Sequence, residues 1–173
     1  MEVNVMKKFL WMLILSGCLF APACSAYRQT GGETSVVRYV LDGDTIVLEN
    51  GEKVRLIGVD TPEIHDDEHR NAAHARKYGQ DPRVVNEYAF KAKSFVLDEM
   101  LRQPVRLEYD WQLTDKYSRT LAYVYRTSDN FFLNEELVKQ GYGYAYTRFP
   151  FKYQNQFRGD QDDARRGHRG LWQ

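Results

Sequence analysis

From Ser35 onward, apolar and polar positions alternate in short runs separated by turn residues. Val36 to Val40 predicts a strand, Asp42-Gly43-Asp44 a turn, and Thr45 to Leu48 a second strand. Asn50-Gly51 is a strong hairpin signal, and Lys53 to Val59 returns as a third strand, giving a meander. Residues 60–81 are polar, carry Pro62 and three histidines, and read as irregular. From Pro82 to Leu101 the period changes. Val84, Val85, Tyr88, Ala89, Ala92, Phe95, Val96 and Met100 recur every three to four residues, which predicts an amphipathic helix. Asp81 is its candidate cap, Pro82 suits its first turn, and Pro104 prevents continuation. Val105 to Tyr109 and Thr120 to Tyr125 read as strands, Asn134 to Gln140 as a short helix stopped by Gly141, and Phe151 to Gly167 as a polar helical tail. Five strands clustered early, with three helices, predict an α+β domain on a small five-stranded barrel.

Before Ser35 the pattern is different. Lys7 and Lys8 precede a short apolar run, Phe9 to Leu15, followed by small residues. Residues 1–26 therefore read as a signal peptide, too short and too interrupted for a membrane-spanning helix. Leu15-Ser16-Gly17-Cys18 resembles a lipoprotein box, in which Cys18 is lipidated and tethers the chain to a membrane. Cleavage near Ala23 or Ala26 is the competing route, and both remain open. Either way the expected location is outside the cytoplasm: bacterial periplasm, extracellular, or lipid-anchored to the envelope. Residues 27–34 (YRQTGGET) read as a linker, and 35–173 as the folded domain. Both cysteines, Cys18 and Cys24, precede that domain, so thiol nucleophiles and cysteine-ligated zinc drop out of its chemistry.

The 173 residues carry 24 Lys+Arg and 24 Asp+Glu. That zero balance argues against a protein gripping nucleic acid by bulk charge alone. The charge is segregated along the chain, however. Residues 42–68 hold nine acids against two bases, whereas 69–173 hold eighteen bases against thirteen acids. An acidic stretch suits a dication, and the basic remainder suits phosphates, so the expected grip depends on a bound cation and weakens with salt.

Three clusters offer chemistry. Asp42-Gly43-Asp44-Thr45 taken alone is a turn in which an Asp bonds its own backbone; its Gly position and the following strand exclude an EF-hand. In Arg55-Leu56-Ile57-Gly58-Val59-Asp60-Thr61-Pro62-Glu63, Asp60 falls where a strand stops. A compact barrel can bring Asp60 to Asp44, with the Thr61 carbonyl as a third hard donor and Glu63 placed to reach a water. Thr114-Asp115-Lys116-Tyr117-Ser118-Arg119 is a cationic, aromatic turn, weak evidence by itself. Together the clusters supply a cation site, a carboxylate base and two guanidinium groups, the parts needed to hydrolyse a phosphodiester. His65 and His69, beside Asp66, Asp67 and Glu68, admit a transition-metal reading, but a solvated loop is the better one. His74 and His168 have no partner legible in the sequence.

In order and spacing, DGDT at 42–45, RLIGVDTPE at 55–63, TDKYSRTLAYVY at 114–125, LVKQGY at 137–142 and GLW at 170–172 resemble the thermonuclease (staphylococcal nuclease-like) family over residues 35–173. The resemblance implies an OB-fold barrel with three helices and a calcium-dependent endo- and exonuclease acting on DNA and RNA, single strands preferred. It implies Ca2+ on Asp44, Asp60 and the Thr61 carbonyl, Glu63 as general base, and Arg55 and Arg119 on the scissile phosphate. Lys116 and Tyr117 would contact a neighbouring phosphate, Tyr144 and Tyr146 lie near where family tyrosines stack on a base, with Tyr146 the one assigned to it, and products would carry a 3′-phosphate. The chain departs from the family pattern at Ser118, where Gly is usual, and at 64–81, which is longer and acidic rather than lysine-rich. A monomer is expected. The alternatives are a non-catalytic OB-fold module binding nucleic acid or protein at the cell surface, and a structural calcium-binding lipoprotein. Neither explains why Glu63, Arg55 and Arg119 are all present.

Overall fold

The computed structural model describes residues 34–65 and 69–173. Residues 1–33, which include Cys18, Cys24, the span read as a signal peptide and most of the span read as a linker, lie outside the described residues, as do Asp66, Asp67 and Glu68. In chain order the elements are β1 (Thr34–Val40), β2 (Thr45–Leu48), β3 (Lys53–Leu56), β4 (Val59–Asp60), α1 (Arg70–Tyr78), α2 (Pro82–Met100), β5 (Pro104–Glu108), β6 (Thr120–Arg126), α3 (Leu133–Lys139), β7 (Tyr144–Ala145), α4 (Gln154–Arg166) and a 3-10 turn, Gly170–Trp172.

Five strands close a barrel in the order β1-β2-β3-β6-β5. Every pairing is antiparallel except β3 with β6, which run parallel with Arg55 opposite Leu121 and Leu56 opposite Ala122. The two-residue side-chain period sends Ile46, Leu48, Val54, Leu56, Val105, Leu107, Ala122 and Val124 inward. α2 adds Val96 and Met100 to that core. Asp81 caps α2 as expected, its carboxylate accepting the Arg83 amide at 2.8 Å, with Pro82 in the first turn. No described helix is long and apolar enough to cross a membrane.

Two expectations change. The strand predicted over 53–59 breaks after Leu56. Gly58 takes φ 76°, and a Cβ there would meet the Phe151 ring at 2.6 Å. The chain therefore turns, and β4 leaves the barrel to pair with β7, Val59 opposite Ala145 and Asp60 opposite Tyr144. Buried Asn134 pins this corner: its amide donates to the Ile57 and Ala122 carbonyls and its oxygen accepts the Val124 amide. The second change is in 60–81, read as irregular, which contains the helix α1, so the described residues hold four α-helices where three were expected. Gly79 ends α1 at φ 67°. The helix is held by Asn71, which bonds the Glu63 backbone and Asn86, and by stacking of Tyr78 on Tyr144 at 4.5 Å. None of these contacts writes an apolar period.

The carboxyl-terminal turn docks backbone to backbone. The Leu171 amide donates to the Gly141 carbonyl at 2.8 Å, and a Cβ on Gly170 would lie 2.2 Å from that oxygen. Trp172 is buried edge-on against Tyr78 and Tyr144 and anchors the core there.

Candidate active site

The turn before β2 and the end of β4 bring Asp44 and Asp60 onto one guanidinium. Arg55 Nη1 lies 2.8 Å from Asp44 Oδ2 and Arg55 Nη2 lies 3.3 Å from Asp60 Oδ1. The Arg55 side chain is only 13% exposed, so it is no solvated surface residue. Asp44 also accepts the Thr61 amide at 3.0 Å and the Thr45 hydroxyl at 3.1 Å. These contacts require the turn to lie flush on Thr61 and α2. Gly43 permits it, because a Cβ there would sit 2.7 Å from Ala92 Cβ and 2.9 Å from Thr61. Asp42 makes the expected turn bond, its Oδ1 accepting the Asp44 amide at 3.0 Å. Burial, reinforced by the Asp44 carboxylate, pushes Asp42 up to about 7.

Glu63 stands beyond Thr61, and its backbone is clamped on both sides by Asn71: the amide donates to Asn71 Oδ1 and the carbonyl accepts from Nδ2, each at 2.8 Å. Its carboxylate pairs with Arg70, which also reaches Asp60 at 3.7 Å. Burial raises the Glu63 pKa, Arg70 opposes that, and the Asp44 and Asp60 charges add to the rise. His74 Nε2 lies 3.0 Å from Asp60 Oδ2. Burial alone would raise Asp60, but the His74 hydrogen bond and the nearby Arg55, His74 and Arg70 charges bring it below the usual carboxylate range.

The third cluster is organised by Asp115. Its Oδ1 accepts the Tyr117 and Arg119 amides at 2.8 and 3.0 Å, and its Oδ2 takes Arg119 Nε at 2.7 Å. Burial would raise Asp115; its hydrogen bonds, chiefly to Arg119, more than reverse this and hold it low. Arg119 is thereby aimed across the barrel, Nη1 reaching the Thr45 hydroxyl at 3.4 Å, next door to Asp44. Lys116 and Tyr117 project from the same turn, with the ammonium 4.8 Å from the ring centre. Tyr146 joins from just after β7, its amide donating to the Gly58 carbonyl at 2.9 Å. Its neighbour Tyr144, also near the expected stacking position, is buried against His74 and Tyr78 and donates to Gln80 at 2.6 Å.

Residues 53–173 match the family model described as staphylococcal nuclease homologue. The chain belongs to that family. It is 35% identical to a thermonuclease of Staphylococcus hyicus over 81% of this chain and 76% of the relative. It is 36% identical to a thermonuclease of Staphylococcus intermedius over 82% and 77%. It is 37% identical to an uncharacterised protein of Methanocaldococcus jannaschii over 77% and 68%. The chain is thus a member of a nuclease family, a hydrolase of phosphodiester bonds in nucleic acid, and its barrel is the OB-fold of that family. The non-catalytic module is set aside.

The donor set of this nuclease suits a hard cation. Asp44, Asp60 and the Thr61 carbonyl offer oxygen only, the donor chemistry that hard cations take. Among the described residues no three His, Cys, Asp or Glu side chains are grouped to hold a metal ion, so a cation here would need backbone oxygen and water as further donors. His65 and His69 are exposed, and the acids between them lie outside the described residues. Sequence reasoning missed Arg70, His74 and Asn71, which α1 delivers, and assigned Asp115 no task. The spacing Arg70, Asn71, His74 is one helical face, but it shows only once 70–78 is known to be helical.

Proposed function

We propose that this nuclease is calcium-dependent and cuts DNA and RNA, single strands preferred, by in-line attack of water, leaving 3′-phosphates. One observation carries the reading. Asp44, Arg55, Asp60 and Thr61 are locked together, with Glu63 two residues further on and Arg119 reaching in beside Asp44. Asp44, Asp60 and the Thr61 carbonyl would hold the Ca2+. When bound, the ion would draw charge from a phosphoryl oxygen. Arg55, once turned from Asp44 and Asp60, and Arg119 would each give guanidinium donors to the remaining oxygens, opposing the charge that grows in the transition state. Glu63, its backbone fixed by Asn71 and its basicity raised by burial, takes the proton from the attacking water. Arg70 must leave the Glu63 carboxylate for that transfer. Lys116 and Tyr117 would hold a neighbouring phosphate and Tyr146 a base.

Export is part of the proposal and is supported by the Lys7-Lys8 and Phe9–Leu15 pattern, with Cys18 as the lipidation point if the chain is tethered. The functional test is cleavage of single-stranded DNA by residues 27–173, with added calcium, with chelator, and as Glu63→Gln. Cleavage should require calcium and fall by orders of magnitude in the variant. Full activity in chelator, or a twofold loss in Glu63→Gln, would show the roles to be misassigned.

A further inference from the structure

Eight large apolar side chains are exposed among the described residues, and five of them fall on two loops: Trp111, Leu113 and Tyr117 on one, Tyr146 and Phe149 on the other. The loops are joined. The Trp111 indole N–H donates to the Pro150 carbonyl at 2.9 Å, and the Lys152 amide donates to Asp110 at 2.8 Å. Both loops are tied to the active site. The Leu121 amide bonds the Leu113 carbonyl at 2.8 Å, and Leu121 is the register partner of Arg55. Tyr146 bonds Gly58, two residues from Asp60, and its ring centre lies 6.3 Å from that of Phe149. A surface therefore runs from Arg55 and Arg119 outward past Leu113 and Tyr146 to Trp111 and Phe149. At its outer end Trp111 is 61% exposed and Phe149 53%.

Cations alternate with these rings. Lys116 and Arg119 lie 4.8 and 5.5 Å from the Tyr117 centroid, and Arg148 lies 5.8 Å from that of Phe149. Aromatic faces interleaved with positive charge match an unpaired nucleic-acid strand, whose bases stack while its phosphates seek cations. A duplex hides its base faces and gains nothing from the rings.

We propose that Trp111 and Phe149 form a second base-stacking platform, which engages an unpaired strand at nucleotides beyond the one being cut, with Arg148 facing its backbone. The proposal rests on the nuclease reading above and adds a footprint to it: substrates longer than the immediate site requires should bind more tightly.

The test compares calcium-supported cleavage of labelled oligothymidylates of 3 and 15 nucleotides by the unaltered protein, Trp111→Ala, Trp111→Phe and Phe149→Ala. For the unaltered protein KM should fall with length. Trp111→Ala and Phe149→Ala should each shrink the 3-mer to 15-mer KM ratio about tenfold. Trp111→Phe should recover most of it, since a ring is restored without the indole hydrogen bond. In residues 27–173, which leave out Trp11, the 15-mer should quench indole emission, and much less so with Trp111→Phe, because buried Trp172 is shielded from bases. Cleavage with an unchanged ratio in both alanine variants, or an equal loss at both lengths, overturns the platform alone. No cleavage of either length by the unaltered protein would remove the nuclease reading and the platform with it.

Discussion

Ser118 sits at φ 60°, in the left-handed region where a side chain crowds the backbone, and it does so inside the turn that aims Arg119. Its amide donates to the Asp115 carbonyl at 3.1 Å, so the turn depends on that conformation. Serine is therefore tolerated at a cost rather than freely. Ser118→Gly is expected to stabilise the protein by about 0.5–1 kcal/mol, the strain relieved less the entropy of a more flexible unfolded chain. Urea denaturation reads this directly, and a destabilised variant would contradict it. Arg70 offers a second test at this scale. It lowers a Glu63 pKa that burial has raised, so its removal lets that pKa rise further. A base works deprotonated, so in Arg70→Ala the acidic limb of the pH profile of kcat/KM should move to higher pH. A limb that stays put, or moves down, would place the proton acceptor elsewhere.

α1 shows what an element contributes beyond its residues. In sequence 70–78 reads RNAAHARKY, with little apolar content to mark a buried stripe. It folds because Asn71 closes three hydrogen bonds on Glu63 and Asn86, and because Tyr78 packs on Tyr144 and Trp172. In return it carries Arg70 and His74 to Asp60. Asn71→Ala would leave half-buried Glu63 backbone groups without their partner, a loss of about 1 kcal/mol or somewhat more. Cleavage should fall at least tenfold at temperatures where the variant stays folded, because Glu63 loses its clamp. Lost stability with intact cleavage would reduce α1 to a packing element. The strand over 53–59 makes the same point. Its apolar run was legible, but the break at Gly58 was not, because the Phe151 and Phe157 rings that demand a glycine come from far along the chain.

At the scale of the molecule, two closures hold the site in place. The parallel pairing of β3 with β6 puts Arg55 and the Arg119 turn on one barrel face, although more than sixty residues separate them. The second closure docks the final turn against Gly141. Gly170→Ala would push a methyl into the Gly141 carbonyl at a backbone angle that disfavours any side chain. A loss of about 2–3 kcal/mol is expected, seen as a lower urea midpoint. An unchanged midpoint would mean the carboxyl-terminal turn contributes nothing to the fold. The charge segregation also resolves here, since the carboxylates of the acidic stretch meet Arg55 from within it and Arg70 and His74 from α1.

The sequence by itself determined the barrel strands, α2 with its cap, the family, and the candidate groups Asp44, Arg55, Asp60, Glu63 and Arg119. These are written locally, as alternation, helical period, turn residues and short motifs. Only the tertiary structure decided that α1 is a helix, that Asn71, Arg70 and His74 serve the site, that Asp115 steers Arg119, and that Tyr144 is core while Tyr146 faces solvent. Those facts depend on contacts between distant segments, on hydrogen bonds and ring stacking that leave no period behind. They also depend on where a backbone must bend to let another part of the chain approach.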